Sequence, residues 1–189
     1  MPREDAELLA KASRGDQSAF AALYAMYETD LYRFVFHLAG GPEGAEELFQ
    51  ETWLRAVRHL GRRPVLDFKR WLFAIATNLH RDELRKKKIR RLIFSNQPIE
   101  ADGGESGVGA RPAATSGVKP VADGFAIRDA LRKAMKKLTH RQRTIFVLMY
   151  VEGWKIREVS ELLGKPEGTV KSTLHRALEI LRVELKEFR

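Results

Sequence analysis

The chain has 189 residues, enough for one medium domain or two small ones, and 44% are hydrophobic, which is ordinary for a globular protein. Its 34 Lys and Arg outnumber 25 Asp and Glu for a formal charge of +9, pointing to a polyanionic partner: nucleic acid first, an anionic membrane surface second. Absence of cysteine excludes disulfides and thiolate metal sites, and the charged start Met1–Asp5 lacks the apolar core of a signal peptide. No apolar run approaches the roughly 18 residues that span a bilayer, so the expectation is a soluble, cytoplasmic protein with no membrane insertion.

In chain order, residues 5–37 read as one or two helices. Ala6, Leu8, Leu9 and Ala12 repeat at helical spacing, Ser13–Asp16 breaks the pattern, and Asp16 can cap the next helix. The run after it carries an aromatic-rich stripe, Phe20, Leu23, Tyr24, Tyr27, Leu31, Phe34, Val35 and Leu38, which reads as core packing. Gly40-Gly41-Pro42 ends that helix and opens another over 43–60, with Ala45, Leu48, Phe49, Thr52, Leu54, Ala56 and Val57 available for packing. Its outward side is acidic: Glu46, Glu47, Gln50 and Glu51 sit near the amino end, where carboxylates suit the helix dipole.

After the loop Gly61–Asp67 comes a run without Gly or Pro, Phe68 to Lys88, with Phe68, Trp71, Leu72, Ile75 and Leu79 on one stripe. The opposite face holds Arg70, Phe73, Thr77, His80 and Arg81, and a basic stretch Arg85–Arg91 comes after it. Rings stack on bases while cations neutralise phosphates, so this face suits nucleic acid; on this stretch alone an amphipathic helix with a solvated basic face is an equal reading. Residues 93–124 contain six Gly and three Pro with few apolar side chains, the composition of a flexible linker between two helical domains.

The second domain begins near Phe125. Ile127, Leu131, Ala134, Met135 and Leu138 mark one helix, and Thr139 can cap the next, with Ile145, Phe146, Leu148 and Met149. Glu152-Gly153-Trp154 is a break. A short helix Lys155–Leu163 and the turn Gly164-Lys165-Pro166 lead into a final helix with Val170, Leu174, Ala177 and Leu181 on one stripe. Its other side presents Gly168, Lys171, Ser172, His175 and Arg176. This is a helix-turn-helix pattern, whose second helix can enter a major groove and meet phosphates or base edges.

Three stretches together resemble the bacterial extracytoplasmic-function (ECF) RNA polymerase sigma factors. Glu46–Ala56 is similar to the segment that docks on the clamp helices of the polymerase, and Phe68–Arg85 to the promoter-melting helix. Leu138–Arg143, Tyr150–Gly153 and Gly168–Ala177 are similar to the carboxyl-terminal promoter-binding domain. Departures are Gly44-Ala45-Glu46-Glu47 where the family often has Asp-Ala-Glu-Asp, Ala74 where a basic residue is frequent, and an idiosyncratic loop Arg62–Leu66.

The resemblance implies an all-α chain of two small helical domains: 1–92 (region 2), a linker 93–124, and 125–189 (region 4). It implies an initiation factor, not an enzyme, without cofactor or metal. Glu46, Glu47, Gln50, Glu51 and Leu54 would dock on core RNA polymerase, whose clamp helices and flap are the partners. Arg62, Arg63, Asp67, Lys69, Arg70, Trp71, Phe73, Asn78 and Arg81 would serve the −10 element, with the loop Gly61–Asp67 capturing an unstacked base. Gly168, Thr169, Lys171, Ser172, His175 and Arg176 would read the −35 element of promoter DNA. The resemblance also implies, for a chain with a short amino terminus and nothing after Arg189, control by a separate anti-sigma factor as the expectation. Two other classes fit less. An enzyme lacks a phosphate loop, and its five histidines are scattered. A stand-alone repressor or activator would use the helix-turn-helix but leave Trp71, Phe73 and the acidic helix without a task.

Overall fold

The computed structural model describes residues 3–62, 64–94 and 122–186, and among them every regular element is helical. Asp16 sets the first boundary. After α1 (Arg3–Ala12), its Oδ1 accepts from the amides of Ser18 and Ala19 at 2.9 and 3.1 Å and so starts α2 (Gln17–Ala39). Gly40 closes α2 in the left-handed conformation at φ 82°, and Pro42 is the first residue of α3 (Pro42–His59). The amide of Arg70 donates to Asp67 Oδ1 at 2.9 Å, fixing the start of α4 (Phe68–Phe94).

The expected aromatic stripe of α2 is core. Leu23, Leu31, Phe34, Val35 and Leu38 are fully buried against Ala45, Leu48 and Ala56 of α3 and Phe68, Leu72 and Ala76 of α4. Tyr27 donates to Asp5 Oδ2 at 2.6 Å, which pins α1 to α2; burial and then Asp5 push the phenol above its ordinary range. Leu54 and Val57, expected among the packing residues of α3, are instead 50% and 55% exposed, because they lie on the side of α3 turned away from α2 and α4.

The second group comprises α5 (Ala122–Lys137), α6 (His140–Phe146) continuing as a π-helical turn Val147–Val151, α7 (Ile156–Leu163) and α8 (Glu167–Glu184). Thr139 caps α6 reciprocally: its Oγ1 accepts from the Gln142 amide, and Gln142 Oε1 accepts from the Thr139 amide. Pro166 stands at the N-cap of α8. Ala134, Met135, Leu138, Ile145, Leu148, Val159, Val170, Ala177 and Leu181 form the core here. Helices α4 and α5 each extend a few residues into the stretch assigned as linker, and 95–121 lie outside the described residues. Among the described residues no helix is long and apolar enough to cross a membrane.

The two groups also pack on each other. Arg143 on α6 donates to the carbonyl of Leu38 on α2 at 3.0 Å and to Met135 O, at 3.0 Å, within its own group. The turn after the π-helix and α7 lie along α2 and α4, and this seam covers part of the expected nucleic-acid face.

Candidate nucleic-acid interface

Helix α8 separates its two sides as the helix-turn-helix pattern requires. Val170, Ala177 and Leu181 are buried, while Gly168, Lys171, Ser172, His175 and Arg176 are exposed and Thr169 is half-buried. Ser172 Oγ donates to the carbonyl of Thr169 at 3.2 Å, and His175 Nε2 lies 3.3 Å from Glu179 Oε1. Lys171 thus projects from the amino-terminal half of the helix, the half that a groove-entering helix uses, and Arg176 stands at its middle.

On α3, Glu46, Glu47 and Gln50 are exposed and Glu51 is half-buried, accepting from Arg55 Nε at 3.0 Å. Leu54 sits exposed beside them. The result is an acidic patch carrying an apolar side chain on an otherwise basic chain.

The start of α4 is held by ion pairs. Lys69 Nζ donates to Asp30 Oδ2 at 2.6 Å. Burial alone would raise Asp30, but Lys69 and then Arg33 outweigh it and hold the carboxyl below its ordinary range. Trp71 is half-buried with its ring 5.8 Å from that of Phe68, and Arg62, Asn78 and Arg81 are exposed. Arg63 lies outside the described residues. Gly61, at φ 85°, runs so close to α1 that a Cβ there would stand 2.4 Å from the Ser13 carbonyl oxygen. Between the loop and α1 lies a cleft of about 470 Å³ lined by Leu9, Ser13, Arg62, Pro64 and Leu66 among others.

The outward face of α4 departs from expectation. Phe73, Thr77 and His80, expected to face solvent, are buried. The helical period placed them correctly opposite the stripe of Phe68, Leu72 and Leu79, but the second group of helices covers them. Phe73 stacks on Phe34 at 4.7 Å on one side and on Trp154 at 5.4 Å on the other, both at 27° between planes. His80 Nδ1 meets His140 Nδ1 at 3.0 Å. Burial first, and then the neighbouring cations, push His80 down to about 3 and His140 down to about 4. Arg70 pairs with Glu161, and Arg33 Nε with Glu152 Oε1 at 3.1 Å. Among the described residues no three His, Asp or Glu side chains gather as metal ligands.

Comparison with known proteins decides the family. Residues 23–90 match the family model for Sigma-70 region 2, and residues 128–181 that for Sigma-70, region 4. Over 180 residues the chain is 31% identical to the ECF RNA polymerase sigma factor SigW of Bacillus subtilis, covering 94% of each. The chain belongs to the ECF RNA polymerase sigma factors. SigL of Mycobacterium tuberculosis, another ECF RNA polymerase sigma factor, is 32% identical over 181 residues, 93% of this chain and 94% of that one.

Two solved structures share the sigma-factor fold. They are RpoE in complex with the anti-sigma factor NepR from Bartonella quintana, with TM-score 0.69, 24% identity and coverage of 90% and 98%, and CnrH in complex with the cytosolic domain of CnrY, with TM-score 0.63, 24% identity and coverage of 98% and 99%. What sequence reasoning missed in this sigma factor is the set of residues that region 4 lays on α2 and α4: Glu152 on Arg33 of α2, and Trp154 and Glu161 on Phe73 and Arg70 of α4. The one available signal was a tryptophan in a helix break, Glu152-Gly153-Trp154, with no core stripe to belong to.

Proposed function

We propose that this sigma factor binds core RNA polymerase through Glu46, Glu47, Gln50, Glu51 and Leu54, working in the cytoplasm, and directs it to promoters with −10 and −35 elements. Residues 1–92 act as the docking and −10 domain, 93–124 as the linker, and 125–189 as the −35 domain. The observation that carries this reading is the two-sided α8, whose Lys171, Ser172, His175 and Arg176 are all exposed over a buried Val170, Ala177 and Leu181. A helix whose amino-terminal half offers hydrogen-bonding and cationic groups beyond the rest of its domain can read base edges and phosphates together. The exposed Leu54 within an acidic patch supports the docking role, since a basic partner surface with an apolar spot would cover both.

For the −10 element, Arg62, Arg63, Lys69 and Arg70 supply charge, Asp67 fixes the start of α4, and Trp71, Asn78 and Arg81 lie along the strand's path. The cleft beside Arg62 is the natural seat for an unstacked base. Melting then means holding single-stranded DNA more tightly than duplex: stacking supplies roughly 1–3 kcal/mol per base, comparable to the few kcal/mol spent in unstacking one. Phe73 joins this set only when the seam with region 4 opens. An anti-sigma factor, of the kind present with RpoE in its solved structure, is the expected regulator.

Run-off transcription of a pool of genomic fragments, with core RNA polymerase alone and with the added chain, tests this reading. Discrete start sites appearing only with the chain are expected. Tight sequence-specific DNA binding by the chain alone, without new start sites, would instead make it a repressor or activator.

A further inference from the structure

A cleft of about 100 Å³ opens where the two helical groups meet, and both of its sides are cationic. Helix α4 contributes Thr77, Asn78 and Arg81, α6 contributes Arg141 and Thr144, and the turn between α7 and α8 contributes Lys165. Arg81 has only Asp82, its neighbour in the chain, at 3.8 Å, and Arg141 and Lys165 have no ion pair among the described residues. Glu161 on α7 is already shared by Arg70 and Arg157. Like charges drawn together across a packed contact oppose it unless a counterion sits between them. His140, which also lines the cleft, registers that field: after burial, it is Arg143, Arg81 and Arg141 that push its ring down to about 4.

Thr77 adds an unsatisfied donor to these cations. It is 6% exposed, and its Oγ1 has no hydrogen-bond partner. A helical threonine ordinarily bonds a carbonyl one turn back, as Thr52, Thr144 and Thr173 do at 2.6, 2.9 and 2.7 Å. Thr77 forgoes that bond beside the cleft.

We propose that this cleft is a binding site for a small tetrahedral oxyanion of the phosphate class, held by Arg81, Arg141 and Lys165 and by the hydroxyl of Thr77. Each guanidinium offers paired N–H donors to such an ion, and the Asn78 side-chain amide offers another. The volume exceeds the roughly 10–15 Å³ that one water needs, and falls below the roughly 300 Å³ at which pockets begin to take larger organic ligands. The ion therefore enters free and not on a nucleic-acid strand, whose sugar and base have no room beside it. Its ligands come from both helical groups, so the ion ties them together and is bound only while they are packed. None of this depends on what α4 does with DNA.

The test uses the full chain and inorganic phosphate at neutral pH, titrated by calorimetry against chloride at matched ionic strength, with amide NMR to locate the ion. Saturable binding of one phosphate per chain is expected. It should shift the amides of Thr77, Arg81, Arg141 and Thr144 together and raise the thermal midpoint as the site fills. Arg141→Gln and Lys165→Gln should each weaken binding about tenfold, while Arg182→Gln, the same loss of charge at an exposed place in the last turn of α8, should not. Thr77→Val removes the hydroxyl and keeps the side-chain shape. It should weaken phosphate about threefold to tenfold yet leave the phosphate-free chain at least as stable, an outcome that a purely structural hydroxyl would not give.

No saturable heat, or a thermal rise that chloride reproduces at the same ionic strength, refutes the site. So does phosphate binding that Arg141→Gln, Lys165→Gln and Thr77→Val all leave unchanged, or that shifts other amides and not these. A short single-stranded oligonucleotide titrated in parallel separates the two sources of phosphate. If Arg141→Gln and Thr77→Val weaken the oligonucleotide as much as the free ion, the cleft holds a strand's phosphate and the free-ion assignment is overturned. If they weaken the free ion and spare the oligonucleotide, the site stands, whatever becomes of the DNA-binding reading of α4.

Discussion

Lowering the pH should open the seam between the two helical groups, and the histidine pair sets the size of the effect. In the closed arrangement His80 and His140 face one another with Nδ1 atoms 3.0 Å apart. Around them stand Arg81 and Lys87 from α4 and Arg141 and Arg143 from α6. Burial, with these cations, keeps both rings neutral: His80 is pushed to about 3 and His140 to about 4, from an ordinary 6.5. Opening returns both rings to water, so the open form binds more protons at any pH below 6.5. The stability of the closed form is therefore whole above that pH and falls as pH drops toward the depressed values.

At about pH 5 the depressed values no longer matter, because both lie below the working pH. Each ring then costs the closed form about 1.5 units at 1.36 kcal/mol per unit, or about 2 kcal/mol, and the pair about 4 kcal/mol. That shifts the open-to-closed ratio by about a thousandfold relative to neutral pH. Glu161 and Asp30 do not blur this window. Glu161 is held below its ordinary range by hydrogen bonds from Arg157 and Arg70, and Asp30 is held low by Lys69 and Arg33 against the effect of its burial.

Small-angle X-ray scattering between about pH 7.5 and 5 reads the opening as a growing radius of gyration. The double variant His80→Gln, His140→Gln keeps a neutral polar pair at every pH and should lose this expansion. His37, half-buried and also lowered by burial and then Arg33, remains in both proteins, so its contribution cancels in the comparison. Equal expansion of both proteins, or none in the unaltered chain at about pH 5, would refute the reasoning.

The remaining predictions concern the exposed surfaces of α8 and α3 and the loop at Gly61. Lys171→Ala with Arg176→Ala should reduce dependence on the −35 element, flattening the salt slope by about 0.9 for each phosphate no longer neutralised, while polymerase binding stays intact. Glu47→Lys with Glu51→Lys should slow association with core polymerase and weaken it tenfold or more, on the order of 1.4 kcal/mol, in a surface-binding assay; unchanged affinity would sink the docking assignment. Gly61→Ala should lower thermal stability: the left-handed backbone alone costs about 1–2 kcal/mol, and the added Cβ meets the Ser13 carbonyl. Because the close approach of Gly61 to Ser13 seats the loop on α1, the same variant should weaken −10 recognition more than −35 recognition.

The fold was legible to the extent that local chemistry determined it. Asp16, the Gly40-Gly41-Pro42 turn, Thr139 and Gly164 each satisfy or terminate a helix end with atoms a few residues away, so composition alone located the boundaries. The two-sided α8 was equally readable, because its buried stripe and its exposed face are set by one 3.6-residue period. Helix α4 marks the edge of that logic. Its period assigned Phe73, Thr77 and His80 to the side opposite the stripe of Phe68 and Leu72, and they are there, yet they are buried. A hydrophobic period reports which residues share a face; it carries nothing about what a distant segment places over that face. Phe73 is covered by Trp154, 81 positions away in the chain, and Arg70 is paired with Glu161 across 91. Such contacts depend on complementarity of ring to ring and charge to charge, which either partner alone displays equally well to a nucleic acid. The basic, aromatic face that reads as a DNA surface is for the same physical reason a surface on which an acidic, tryptophan-bearing turn can dock.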